Sequence, residues 1–274
     1  MHNLVKTFLT SINFDNLSGE NKPDFVINKK FFIKGDNKMK KIKKFLLTMA
    51  MTMIFSVSAF ASSGFEFILN VPLGLGIGIP TKSEKDAQFK SGVGFDAGVT
   101  AQLGYMFQVV DGFGISVLGE LGYAHTTRAL TQKYEELGTK ISIYAAYIMD
   151  SFQIGLLPKF NIGAFAIGIG GGVKIPMAVQ YSYKYEAGDE KIQDKGKLNM
   201  KEFREMYSPA VIGYIKGTFD YSIFFMDNLA FNIGLYLGYD MIKTKAIPEI
   251  GEKSEIEGVF DIGVELGLKF GPKA

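Results

Sequence analysis

The chain has 274 residues, of which 47% are hydrophobic and 21% charged, and its formal net charge is +2. The absence of Cys and the presence of only two His exclude a disulfide scaffold and a thiolate metal site, and they leave little for a zinc site or a catalytic His network. A near-neutral charge gives a nucleic-acid groove no electrostatic support. From the residue counts and the charge together, we expect a non-enzymatic protein with no cofactor, no metal and no nucleic-acid partner.

The first predicted element is an export signal. Basic residues at 40–44 precede an uncharged apolar run at 45–55, and Ala59 and Ala61 supply small residues at positions −3 and −1 of a cleavage site. This order is typical of a secretory signal peptide, which we place at 39–61. A transmembrane anchor is the alternative, because the uncharged run from Phe45 to Ser63 is just long enough to span a membrane, but the small residues at its end favour cleavage.

A signal peptide is read only at the N-terminus of a chain. We therefore predict that translation starts at Met39 and that residues 1–38 are a misassigned N-terminal extension, the alternative being a long cytoplasmic leader. The exported domain is then 62–274, which carries 20 basic and 24 acidic residues and a net charge of −4.

The exported domain alternates between two kinds of side chain. From 93 to 107 the odd positions are bulky and apolar, whereas the even positions are mostly small or polar. Side chains alternate across a strand, so the pattern predicts a strand with two unlike faces. It recurs along the chain and predicts eight strands, at 64–79, 93–107, 113–123, 140–158, 162–183, 209–221, 229–240 and 260–270. A loss of register near 148–151 indicates a β-bulge.

The connections between these strands alternate in length. Short turns are expected at 111–112, 158–161 and 222–228. Long polar loops are expected at 80–91, 125–139, 184–207 and 241–256. Short turns at one end, long loops at the other and an even strand number predict an all-β fold, an eight-stranded antiparallel up-and-down transmembrane β-barrel. A soluble lipocalin-like barrel is the alternative, but it would spread charges along the exterior of every strand.

The less bulky face of the strands holds isolated charges among small residues, which indicates the interior of a small barrel. We predict that three lysines, Lys174, Lys216 and Lys269, pair there with acidic groups, because pairing inside a closed barrel satisfies charges that lipid could not. The candidate acidic partners are Asp96, Glu120, Asp220, Asp261 and Glu265.

The domain at 62–274 resembles the OmpA/OmpX-type superfamily of small eight-stranded outer-membrane barrels. The most specific feature is the last strand, from Asp261 to Phe270, which is similar to the C-terminal signal read by the barrel-insertion machinery. Residues 271–274 extend past the usual terminal aromatic. The resemblance implies a location in the bacterial outer membrane, with outer-membrane lipid and the insertion machinery as partners. An OmpW-like barrel is the second choice, and it implies a channel for small solutes or hydrophobic compounds.

Two predicted strands, 140–158 and 162–183, exceed the roughly 9–11 residues that a membrane strand needs. Their excess is expected to protrude on the long-loop side as a ribbon whose free edge a strand of another protein could join. The alternative is a ribbon folded down over the barrel mouth. The tyrosines of this candidate binding ribbon are Tyr144, Tyr147, Tyr181, Tyr183 and Tyr185.

Three other features indicate no chemistry of their own. The run of glycines at 168–172 lacks the spacing of a phosphate loop and is typical of small lumen-facing residues. His125 has no adjacent Ser and is interpreted as a polar loop residue rather than a catalytic base. The charged run from Glu186 to Arg204 alternates in sign and is interpreted as a solvated loop without a ligand patch.

These observations predict an integral outer-membrane surface protein. We expect a structural, adhesive or ligand-binding role through extracellular loops 125–139 and 184–207, with a host or envelope protein as partner. The alternative is a channel for small solutes or hydrophobic compounds, although a barrel of about eight strands has little free lumen.

Overall fold

A computed structural model describes residues 63–136, 138–246 and 254–274. The predicted extension at 1–38 and signal peptide at 39–61 lie outside these residues. The described chain forms eleven strands and two short helices. In chain order they are β1 (Gly64–Ile79), α1 (Lys82–Asp86), β2 (Lys90–Ser91), β3 (Val93–Val110), β4 (Phe113–Glu136), β5 (Thr139–Leu156), β6 (Lys159–Ile162), β7 (Phe165–Ala187), β8 (Glu190–Leu198), α2 (Met200–Met206), β9 (Ile212–Met226), β10 (Leu229–Lys243) and β11 (Ile256–Phe270).

Eight of these strands form a closed antiparallel ring. The ring runs through β1, β3, β4, β5, β7, β9, β10 and β11, and β11 pairs back with β1. A closed ring satisfies the backbone hydrogen bonds between neighbouring strands, which a chain in lipid requires because hydrocarbon offers no alternative partner. The predicted eight-stranded antiparallel barrel is confirmed.

One ring position is shared by two strands. β5 ends at Leu156, the chain breaks its pairing at Pro158, and β6 continues in the same direction between β4 and β7. The turn then follows at Gly163, whose φ of +59° favours glycine. The predicted turn at 158–161 is therefore wrong, because the missing N–H of Pro158 interrupts the ladder without reversing the chain. The predicted bulge near 148–151 is present as a register shift between Asp150 and Ser151.

The outer wall of the ring is apolar. Along β7 the exposed bulky side chains run from Phe165 to Met177. At about 3.3 Å per residue and a tilt of about 45° they span roughly 28 Å, close to the height of the apolar band of outer-membrane barrels. The short turns and both ends of the described barrel lie at one end. The long connections lie at the other end, which in such barrels is extracellular.

In the described ranges, none of the helices combines the length and apolar character needed to cross a membrane.

Three ring strands continue past the apolar belt and are joined by a fourth strand outside the ring. We call this four-stranded antiparallel unit the outer sheet, formed by residues 126–136 of β4, 139–149 of β5, 179–187 of β7 and all of β8. The predicted loop 125–139 is therefore wrong, because β4 continues to Glu136. The predicted loop 184–207 consists mostly of the end of β7, β8 and α2. Their polar composition concealed regular pairing, because the apolar alternation that marks a half-buried strand is missing where both faces contact solvent.

The mouth of the barrel is partly covered by the two helices. Thr81 caps the N-terminus of α1, and Glu84 completes its capping box. α2 begins at the cap residue Asn199 and presents one buried side chain, Phe203. Phe203 belongs to a small apolar cluster at the extracellular end of the ring, whose other buried members are Met149, Val179, Tyr207, Ile212 and Ile242.

Candidate functional site

The interior of the barrel is filled with charged side chains. The structure places all eight sequence-predicted lumen residues there, and none of them is more than 9% exposed. These are Asp96, Glu120, Lys174, Lys216, Asp220, Asp261, Glu265 and Lys269. Burying a charge is costly unless a partner and hydrogen bonds compensate for it, so the arrangement of the partners decides what the interior can do.

Lys216 lies between two carboxylates. Its Nζ is 2.5 Å from Oε1 of Glu265 and 3.2 Å from Oε2 of Glu120. Glu120 also accepts hydrogen bonds from Gln102 at 2.9 Å, from Tyr214 at 3.1 Å and from Gln153. This network connects β3, β4, β5, β9 and β11 across the barrel, so hydrogen bonds and ion pairs link strands on opposite sides of the interior.

The other three interior lysines each have a carboxylate partner within 3 Å. Lys174 is 2.5 Å from Asp240 and 4.0 Å from Asp261, and the remaining pairs are Lys159–Asp220 at 2.8 Å and Lys269–Glu66 at 2.7 Å.

Sequence reasoning missed Glu66, Lys159 and Asp240 as interior residues. Lys159 was assigned to a turn, whereas strict alternation along β1 and β10 places Glu66 and Asp240 on the face opposite the bulky residues.

Two tyrosines occupy the space that interior glycines leave. A Cβ added at Gly155 would lie 2.1 Å from the hydroxyl of Tyr214, and one added at Gly74 would lie 2.4 Å from that of Tyr236. Both rings line a cavity of about 50 Å³ beside Lys216, which holds only a few water molecules. The interior at this level is therefore a packed polar core rather than a wide pore.

A buried arginine connects helix α1 to the barrel mouth. Arg128 on β4 donates to both carboxylate oxygens of Glu84 on α1, at 3.0 and 2.7 Å, and to the carbonyl of Ile79 at 3.2 Å. Its Nε is 3.5 Å from Glu257, which also accepts from Tyr207 at 3.1 Å. Burial alone would lower the pKa of Arg128, but the Glu84 hydrogen bond and the charge of Glu257 raise it above its ordinary value.

Replacing Arg128 by Met is expected to release α1 from the mouth without opening the barrel. Two buried or half-buried carboxylates would lose their cation, which is strongly destabilising locally, whereas the ring pairing is untouched. Trypsin cleavage after Lys82 and Lys85, measured on the refolded protein by mass spectrometry, should accelerate about tenfold or more. The matched control is Lys133→Met, an exposed site on the same strand. Equal cleavage rates in the two variants would contradict the role of Arg128.

The register of the outer sheet separates its side chains into two faces. Tyr147 pairs with Tyr181, and Tyr183 and Tyr185 follow at two-residue steps, so four of the five candidate ribbon tyrosines share one face. This inner face continues the barrel interior upward. Tyr144 lies on the opposite face, where Nζ of Lys184 is 5.5 Å from its ring centroid.

The inner face and one edge of the outer sheet are open. Tyr134, Tyr183 and Ile192 on the inner face are each more than a third exposed. Within the described ranges β8 pairs only with β7, so its other edge has no neighbouring strand. An unpaired edge offers a row of N–H and C=O groups to a further strand.

His125 lies within strand β4 rather than at the start of a loop. Its Nδ1 is 2.7 Å from Oδ1 of Asp150, and the Tyr123 hydroxyl donates to the same oxygen at 2.5 Å. The nearby hydroxyl of Thr127 donates to the carbonyl of Phe95 at 2.8 Å. That hydroxyl is therefore engaged with the backbone rather than with His125.

No protein-family model matches the chain. No curated protein matches it either.

Among solved structures, the chain is similar to neisserial surface protein A, at 10% identity and a TM-score of 0.28, over 74% of this chain and 97% of that one. It is similar to Ail, the attachment invasion locus protein of Yersinia pestis, at 12% identity and a TM-score of 0.27, over 77% and 100%. It is also similar to the outer membrane protein OprG of Pseudomonas aeruginosa, at 14% identity and a TM-score of 0.30, over 77% and 97%.

The fold assignment rests on three features of the described chain. The strands close into a ring of eight, their outward side chains form an apolar belt of membrane height, and each interior lysine has a carboxylate partner. A closed barrel with lipid-facing apolar residues and a polar interior is the architecture of outer-membrane proteins. The described chain is an eight-stranded antiparallel transmembrane β-barrel with the architecture of an integral outer-membrane protein.

Proposed function

We propose that this barrel is a surface-binding protein whose outer sheet captures an extended segment of a partner protein at the open edge of β8. The observation that carries the proposal is the regular pairing of four strands beyond the apolar belt, ending in an edge without a neighbour. Strand addition at such an edge supplies main-chain hydrogen bonds, and pockets for alternate side chains supply specificity. No catalytic role enters the proposal.

The inner face supplies the second half of this binding surface. Tyr183 and Ile192 stand beside the open edge and are 38% and 50% exposed. Tyrosine is enriched at the centres of interfaces because its ring buries a large area while its hydroxyl keeps a polar contact. Every second side chain of a partner strand beside β8 would lie on the same face as these residues. The open edge and the inner face would therefore both contribute to binding.

A channel is less well supported by the interior. Lys216 and its two carboxylates lie across the lumen, and the adjoining cavity is about 50 Å³. In planar bilayers we expect the refolded barrel to show no stable conductance steps. Conductance that persists after the outer sheet is shortened would favour the channel and contradict the surface-binding proposal.

The binding proposal is tested by shortening the β7–β8 hairpin. Ser182 pairs with Lys195, so replacing residues 183–194 by Asn-Gly joins paired positions with a two-residue turn. Bacteria displaying this variant should bind host-cell monolayers and extracellular-matrix proteins about tenfold less than bacteria displaying the intact barrel. Heat-modifiable migration on gels verifies that both barrels are folded, and undiminished binding by the shortened barrel would refute the proposal.

A pair of single substitutions separates the inner face from the rest of β8. Ile192→Lys places a charge on the inner face and is expected to weaken partner binding. Gln193→Lys makes the same addition on the opposite face of the same strand, so it is the matched control and should bind like the intact barrel. Equal losses in the two variants would show that the inner face is not the contact surface.

A further inference from the structure

The charged run from Glu186 to Arg204 is ordered by strand pairing into faces of different charge. Along β8, the outward face carries Lys191, Gln193, Lys195 and Lys197, and the inner face carries Glu190, Ile192, Asp194 and Gly196. The alternation of signs that argued against a ligand patch in the sequence is the two-residue period of a strand. The lysines therefore form a row, with neighbours such as Lys195 and Lys197 about 7 Å apart.

The adjoining strands extend this basic face. Lys184 on β7 lies opposite Gln193, and Lys133 and Lys140 share the outward face on β4 and β5. The acidic residues that the pairing places on the same face are Glu135 and Glu186, and Glu186 is 3.7 Å from Lys191. In the described ranges, no carboxylate lies within 4 Å of the ammonium groups of Lys195 and Lys197. The face thus has a net positive charge and exposed lysines.

This basic face is continuous with the lipid-facing wall. Ala178 is the last outward apolar residue of β7. Gln180, the next outward residue, pairs with Lys197, and Ser182 pairs with Lys195. Each two-residue step rises about 5 Å at a tilt of about 45°. Lys197 and Lys195 therefore stand about 5–10 Å above the apolar belt, which is the depth of the polar headgroup layer on one side of a bilayer.

We propose that the outward lysines of the outer sheet bind the phosphate groups of glycolipid headgroups in the surrounding outer leaflet. Lysine binds phosphate as a point charge on a flexible stem, and basic residues beside a membrane are attracted to its anionic surface. The face adjoins the lipid wall rather than the inner face or the open edge of β8, so the lipid and a partner strand would occupy different sides of the sheet. The inference does not rest on the partner-binding proposal.

The test uses the complete refolded barrel in zwitterionic micelles, titrated calorimetrically with bis-phosphorylated lipid A. The variant carries Lys184→Gln, Lys195→Gln and Lys197→Gln. Each lysine beside an anionic surface contributes about fivefold in affinity, so the triple variant should bind about a hundredfold more weakly. Added salt should weaken binding by the intact barrel and narrow this difference, because exposed charges are screened.

The matched control removes three other exposed extracellular lysines, by Lys82→Gln, Lys85→Gln and Lys201→Gln, and should leave the affinity within about twofold of the intact barrel. Equal losses in both triple variants would overturn the assignment to the outward face. Equal binding of dephosphorylated lipid A would overturn the phosphate contact. Tighter binding of a soluble sulfated oligosaccharide than of lipid A would show that the face serves a glycan from outside the membrane and would also overturn the proposal.

Discussion

Replacing Lys216 by Met is expected to destabilise the refolded barrel by about 3–5 kcal/mol, because breaking a buried ion pair leaves an uncompensated charge. Glu120 and Glu265 would both lose their cation, at 3.2 and 2.5 Å respectively, in an interior that offers little water. Urea-induced unfolding in detergent micelles measures the free energy of unfolding. The chain contains no Trp, so circular dichroism and heat-modifiable migration are the suitable probes.

Two variants make this expectation specific to the buried network. Lys197→Met removes an exposed lysine of the outer sheet and should change the free energy of unfolding by less than about 0.5 kcal/mol. Adding Glu120→Gln and Glu265→Gln to Lys216→Met removes the stranded charges and should recover a large part of the loss, since the neutral amides can still hydrogen-bond. A loss below about 1 kcal/mol for Lys216→Met would show that the network contributes little to stability.

Replacing Gly172 by Val is expected to prevent most of the protein molecules from assembling into a barrel. A Cβ at this position would lie 2.1 Å from the carbonyl oxygen of Ile154 and 2.5 Å from the Cα of Gly155, both on the paired strand β5. These are backbone atoms, so no side-chain rotation relieves the contact and the ladder between β5 and β7 must separate. Overpacking of a well-packed interior costs about 1–3 kcal/mol and occasionally more, and a backbone clash belongs at the upper end.

The matched control for this variant is Gly217→Val on the neighbouring strand β9. A Cβ at Gly217 meets nothing closer than 3.9 Å, and a valine there adds to the outward apolar wall. The fraction of heat-modifiable barrel in outer-membrane extracts should fall sharply for Gly172→Val and stay near the original level for Gly217→Val. Equal fractions for the two variants would show that the tight contact at Gly172 is not needed for assembly.

The parts of the fold that were predictable are those in which one face of a strand meets lipid. Positions 93–107 alternate because their odd side chains lie on the apolar wall, and the strand count and the closed ring follow from that contrast. The contrast disappears above the belt, where both faces of a strand contact solvent. For that reason the polar sequence predicts loops over Glu190–Leu198 and residues 126–136, although both are paired strands.

The interior positions were readable from alternation, but their partners were not. Lys216 and Glu120 are 96 residues apart in sequence, and Asn70 and Glu265, which share a hydrogen bond of 3.1 Å, are 195 apart. Such pairs depend on how the ring closes and on the stagger between strands. Lys159 shows a different limit, because Pro158 is a strong turn signal and only the pairing of β6 with both of its neighbours shows that the strand continues.

The β7–β8 ladder is not one of the eight ladders that close the ring, and the tip of this hairpin lies past the last β5–β7 pair, Ile141–Ala187. The tip at Gly188 and Asp189 can therefore accept inserted residues without interrupting any of those ladders, as exposed loop tips generally do. Selection on the exterior, such as that imposed by antibodies, can change the sequence of this tip while the pairing of the wall below stays constant. The same separation makes the tip a suitable place to display a foreign peptide on the cell surface.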